Sequence, residues 1–136
     1  MKQKDKQKGR KNFMRIVLAI SLLLTIQLTM IARGQDSPAV GKWEKYSNGV
    51  TMAFILDKDL NYTVDFESDG NIEVRGTYTV EENTITFTDK PGGYASPDPG
   101  IYTFKIEEDK LIYTIKNDPT AGRSGLVAGT WTKAKE

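Results

Sequence analysis

The stretch Asn61–Val80, NYTVDFESDGNIEVRGTYTV, decides the fold. Tyr62, Val64 and Phe66 share one face, with Thr63 and Asp65 pointing away. Beyond Asp69-Gly70-Asn71, the residues Ile72, Val74, Tyr78 and Val80 alternate with Glu73, Arg75, Thr77 and Thr79. Apolar residues at a period of two, drawn from Thr, Tyr, Phe, Ile and Val, mark strands with one buried face. Asp-Gly supplies the positive φ that a short hairpin turn demands. The stretch is therefore a β-hairpin.

The same pattern continues in both directions. Upstream, Met52, Phe54 and Leu56 share a face, bounded by Ser47-Asn48-Gly49 on one side and Asp57-Lys58-Asp59 on the other. Downstream come Ile85 and Phe87, then Tyr102, Phe104 and Ile106, then Leu111, Tyr113 and Ile115, and last Val127, Gly129 and Trp131. Glu82-Asn83 and Glu108-Asp109 read as hairpin turns. Two connections are longer, 89–100 and 117–126, and no window combines helical period with helical length. About eight strands with mostly short links predict an all-β, antiparallel up-and-down barrel. Closure buries the apolar face and removes exposed strand edges. A β-sandwich is the alternative, and it calls for longer crossing connections.

The 136 residues include no Cys and no His. That length suits one ordinary domain. Disulfides, thiolate chemistry, Cys-ligated zinc and His-based acid–base catalysis are excluded. Residues 1–34 carry eight Lys and Arg against one acid, a balance of +7, and residues 35–136 carry eleven against seventeen, a balance of −6. The basic segment runs into an apolar one, Ile16 to Ala32. That order reads as a secretory signal, with Ala32 and Gly34 the small residues before a cleavage site and Gln35 the mature start. An uncleaved membrane anchor is the alternative, weakened by Ser21, Thr25, Gln27 and Thr29 within a short span. Either way residues 35–136 are expected to be exported, periplasmic or secreted, with membrane contact only through the N-terminal segment. The acidic balance of that domain argues against nucleic acid.

Four strands place Gly two residues before a large aromatic: Gly41/Trp43, Gly76/Tyr78, Gly100/Tyr102 and Gly129/Trp131. At a period of two, Gly and ring face the same side, leaving room for a ring and allowing a sharp bend. With the opening G-K-W, the S-D-G-N turn, the G-T-Y strand, the E-D-K-L-I-Y hairpin and the closing D-P-T-A-G-R…G-T-W, residues 38–134 resemble the small bacterial lipocalin-like domains of the calycin superfamily. The resemblance implies a barrel plugged by Trp43, with Arg123 laid across the indole by cation–π contact and Lys133 as the alternative cation. Trp131 belongs to the same closure. It also implies a non-enzymatic protein that binds a small, mainly apolar molecule inside the barrel or at its mouth.

The candidate ligand contacts are the inward-facing Phe54, Tyr62, Tyr78, Tyr102 and Tyr113, with Tyr94 on the 89–100 loop. Buried phenols need hydrogen-bond partners, which a polar-headed ligand can supply. A filled core is the competing reading of the same residues. Its functional counterpart is an envelope accessory module that meets a protein partner through its loops. Asp65 to Asn71 imitates the start of a calcium loop, but the twelfth position is Gly76 where an acid is required. The pairs Asp57/Asp59, Asp65/Glu67 and Glu107/Asp109 read as solvated turn or surface charge rather than acid–base pairs. No catalytic residue, metal site or cofactor is expected.

Overall fold

The computed structural model describes residues 37–135. The expected signal or anchor segment 1–34 lies outside the described residues. Eight strands follow one another: β1 (Gly41–Ser47), β2 (Val50–Leu56), β3 (Asn61–Asp65), β4 (Val74–Glu81), β5 (Thr84–Asp89), β6 (Gly100–Glu107), β7 (Lys110–Asn117) and β8 (Gly129–Lys133). Each pairs antiparallel with the next, and β8 returns to β1, closing the barrel. The up-and-down barrel expected from the alternation is the observed one.

The inward positions are those the period of two assigns, except that Ile115, expected to share the face of Leu111 and Tyr113, is exposed near the end of β7. Phe54 and Phe87 lie at the centre, and the rings of Tyr62 and Tyr113 stand 5.0–6.2 Å from them, edge-on or tilted. Such geometries add about 0.5–1.5 kcal/mol per pair beyond the burial itself. The middle of the barrel is thus packed with rings.

Antiparallel up-and-down order sends alternate connections to opposite ends. One end carries Asp57–Leu60, Glu82-Asn83 and Glu108-Asp109, all short. The other, the mouth, carries Asn48-Gly49, residues 66–73, residues 90–99 and the segment between β7 and β8.

Two connections at the mouth also depart from the alternation. Phe66 and Ile72 lie outside β3 and β4, because the Asp65 carboxylate accepts the backbone N–H groups of Glu67, Asp69 and Gly70 at 2.8–3.2 Å. Glu73 accepts the N–H of Phe66 at 2.8 Å. Asp65 is buried as a result, rather than facing solvent, and these backbone bonds outweigh its burial and hold its carboxyl below the usual range. The 117–126 connection contains a helix, α1 (Ala121–Val127), so Val127 ends a helix instead of opening a strand. Two turns with Gly122 and Gly125 have weak helix propensity and too few residues to show a period. Tertiary contacts hold it, as the site below shows.

The closing seam between β1 and β8 has two paired positions, Trp43 with Lys133 and Glu44 with Thr132. Both seam strands use one device. Gly41 (φ 144°) and Gly129 (φ 102°) turn the chain into the strand through backbone conformations that side chains rarely adopt. Two residues on, the buried indole donates to the carbonyl four residues back, Trp43 to Ala39 at 2.8 Å and Trp131 to Val127 at 2.9 Å. The Gly-x-Trp spacing therefore ties each incoming segment to its own strand.

The expected cation lid is placed differently. The ammonium of Lys45, not Arg123 or Lys133, lies over an indole, 5.3 Å from the centroid of Trp131. It also donates to the carbonyls of Leu126 and Ala128 at 2.9 and 2.8 Å. A cation at these last helical carbonyls is favoured electrostatically. The guanidinium of Arg123 is engaged at the mouth.

Candidate functional site

Three connections converge at the mouth. Loop 90–99 leaves β5 just after Asp89, the turn 66–73 follows β3, and α1 precedes β8. Between them lies a cavity of about 360 Å³ lined by Phe54, Tyr62, Val64, Phe66, Val74, Phe87, Asp89, Tyr94, Ser96, Pro97, Thr120, Arg123, Leu126 and Val127, among others. Its floor is the upper surface of the packed rings. Tyr94, 65% exposed, stands edge-on to Phe66 with centroids 5.2 Å apart and joins loop 90–99 to the turn across the rim.

One wall is polar. Arg123 Nε donates to Asp118 Oδ2 at 2.7 Å, Nη2 to Asp118 Oδ1 at 2.9 Å, and Nη1 to Asp89 Oδ1 at 3.3 Å. Tyr62 donates its hydroxyl to Asp89, and Tyr102 donates to Asp118. The backbone N–H of Ser96 reaches Asp89 Oδ2 at 2.7 Å, and that of Thr120 reaches Asp118 Oδ1 at 2.9 Å. Arg123 Nη2 also donates to the Asp98 carbonyl. The cluster therefore anchors loop 90–99 at two points and α1 at its first turn. The three side chains are 8%, 2% and 0% exposed for Arg123, Asp89 and Asp118. Charges that deep persist because each is paired and hydrogen-bonded.

The same contacts set the proton affinities. Burial pushes Asp118 up, but the hydrogen bonds from Arg123, Tyr102 and Thr120 outweigh it and hold the carboxyl below its usual value. Burial lowers Arg123, and the bonds and charges of Asp118 and Asp89 more than reverse that. Burial first, then the adjacent carboxylates, pushes the Tyr62 and Tyr102 hydroxyls well up, so both stay protonated donors. Asp118 accepts four donors, all of which favour its ionised form.

Gly100 makes the cluster possible. A Cβ there would stand 2.5 Å from Asp118 Oδ2 and 2.8 Å from Arg123 Nε. The Gly100/Tyr102 spacing thus makes room for an ion pair, with Tyr102 as one of its donors.

Of the candidate ligand contacts, Phe54, Tyr62 and Tyr94 line the cavity. The structure does not bring Tyr78, Tyr102 and Tyr113 to its wall. Tyr78 donates to the Asp57 carbonyl at 2.6 Å, at the opposite end, and burial pushes its hydroxyl up to about 12. Tyr102 packs behind the wall, among Phe87, Tyr113 and its own bond to Asp118. Tyr113 is enclosed by Phe54, Phe87, Tyr102 and Phe104, and its hydroxyl has no partner among the described residues.

Compared with protein-family models, with curated proteins and with solved structures, the chain matches none of them. The site therefore stands on its own geometry.

Asp89 and Asp118 were not singled out by sequence. For Asp89 a signal exists: Ile85, Phe87 and Asp89 share one parity, so the inward face of β5 ends in a carboxylate. Asp118 lies beyond the end of β7 and carries no such mark. The acid pairs noted in the sequence serve locally. Asp57 accepts the N–H groups of Asp59 and Asn61, and Glu107 pairs with Lys105. Among the described residues, no group of three or more acidic side chains is placed to hold a metal ion.

Proposed function

We propose that this chain is an exported binding protein that holds a small, mainly apolar molecule at the mouth of a lipocalin-like barrel. The carrying observation is the cavity of about 360 Å³ above a centre already filled by rings. Small-molecule sites run from roughly 300 to 1,000 Å³, apolar in the main, with a few fixed polar groups. This cavity has that composition: rings and aliphatic side chains on most sides, Asp89, Arg123, Ser96 and Thr120 on the rest. Export rests on the basic and apolar order of residues 1–34. Kinship with lipocalins rests on the Gly-x-Trp opening and the closed eight-strand order. The reading is a binding protein rather than an enzyme, because both buried carboxylates are ion-paired to Arg123 and the sequence has no Cys or His to serve as nucleophile or base.

A neutral apolar fluorophore such as N-phenylnaphthylamine tests it. The purified chain should brighten the probe, and Gly93→Trp should abolish that. Gly93 lines the cavity and an added Cβ there meets nothing within 4 Å, so the variant obstructs the mouth without straining the barrel. A probe that stays dark with the unaltered chain, or that brightens equally with the variant, contradicts the mouth as the site.

A further inference from the structure

We propose, taking the mouth as a ligand site as argued above, that its occupant is a cation: an amine with an apolar body, its ammonium on Asp89. The wall has two carboxylates, Asp89 and Asp118, and one guanidinium, Arg123, leaving one negative charge in excess at a nearly dry position. Asp89 and Arg123 are the charged residues that line the cavity. Around them, Glu73 adds a second negative charge beside Phe66, and the ammonium of Lys45 is occupied by the carbonyls of Leu126 and Ala128.

The acceptor inventory selects Asp89. An ionised carboxylate offers about four lone-pair positions. Asp118 uses all of its own on Arg123 twice, Tyr102 and Thr120. Asp89 accepts Tyr62 and Arg123 on Oδ1 and the N–H of Ser96 alone on Oδ2. Oδ2 keeps a position open on the residue that lines the cavity. An ammonium there completes the carboxylate and neutralises the excess charge, while its chain lies along Phe66, Val74, Leu126 and Val127. A carboxylate ligand would add a third negative charge where little water screens it.

Calorimetric titration of the purified full-length chain with octylamine, octanol and octanoate tests the charge class at matched chain length. Octylamine, protonated at neutral pH, is expected to bind at least about ten-fold more tightly than octanol, with octanoate weakest. Asp89→Asn leaves one carboxylate against one guanidinium, and the octylamine-to-octanol ratio should then fall to near one. Equal binding of all three, or tightest binding of octanoate, overturns the cation and leaves the apolar site standing. No binding of any of the three overturns the site together with the cation. An amine preference that Asp89→Asn leaves intact, measured on a variant whose melting confirms a fold, overturns the assignment to Asp89.

Discussion

The centre of this barrel is held without charge; the mouth is held by charge. In the centre, Phe54, Phe87 and Tyr113 pack ring against ring, and at the seam Trp43 and Trp131 bond to backbone carbonyls. At the mouth, Arg123, Asp89, Asp118, Tyr62 and Tyr102 form one connected polar group. Both regions are buried. An apolar centre leaves nothing for a ligand to recognise, whereas a polar wall fixes loops and also presents directed acceptors beside an apolar cavity.

Truncation in either region should be costly, for different reasons. Trp131→Ala removes a fully buried ring and should cost about 3–5 kcal/mol through lost burial and the cavity left behind. Arg123→Ala should cost a similar 3–5 kcal/mol, because it strands two buried carboxylates. Urea unfolding measures both. A distinction follows: adding Asp118→Asn to Arg123→Ala should restore part of the loss, and no second carboxylate change rescues Trp131→Ala. A loss below about 1 kcal/mol for Arg123→Ala, the size of an exposed pair, would place the cluster in solvent.

One chemical change sharpens the contrast further. Tyr102→Phe deletes a donor to an ionised carboxylate and should destabilise by about 1.5–3 kcal/mol. Tyr113→Phe deletes a buried hydroxyl without a partner and should be neutral or stabilising by up to about 1 kcal/mol. Urea midpoints that move in the same direction for both would erase the difference between centre and mouth.

The smallest effect concerns the closing cation. A double-mutant cycle on Lys45 and Trp131 should return roughly 0.5–1 kcal/mol of coupling, and the same cycle on Arg123 and Trp43 should return none.

The contrast also explains what could be read from the chain. The centre follows from alternation along single strands: each of Phe54, Phe87, Leu111 and Tyr113 announces its face by its neighbours two residues away. Gly-x-Trp is likewise local, since the glycine, the indole and the carbonyl it bonds span a few residues. The mouth is assembled from positions 62, 89, 102, 118 and 123, in four strand or loop segments and a helix too short to show a period. The family resemblance alone points to Arg123, and it implies an indole, Trp43, as its partner. Topology separates the two: Trp43 sits near the start of β1, towards the short hairpins, whereas Arg123 lies in the β7–β8 connection at the mouth, beside Asp89 and Asp118.

The most direct test of the central claim is a titration of the isotope-labelled chain with octanol, followed by methyl NMR. The account predicts concentration-dependent shifts at Val64, Leu126 and Val127 around the mouth, with Ile85 and Leu111 near the opposite hairpins unmoved. Shifts at Ile85 and Leu111 with the mouth unmoved, or no shifts at any of the five, would contradict it.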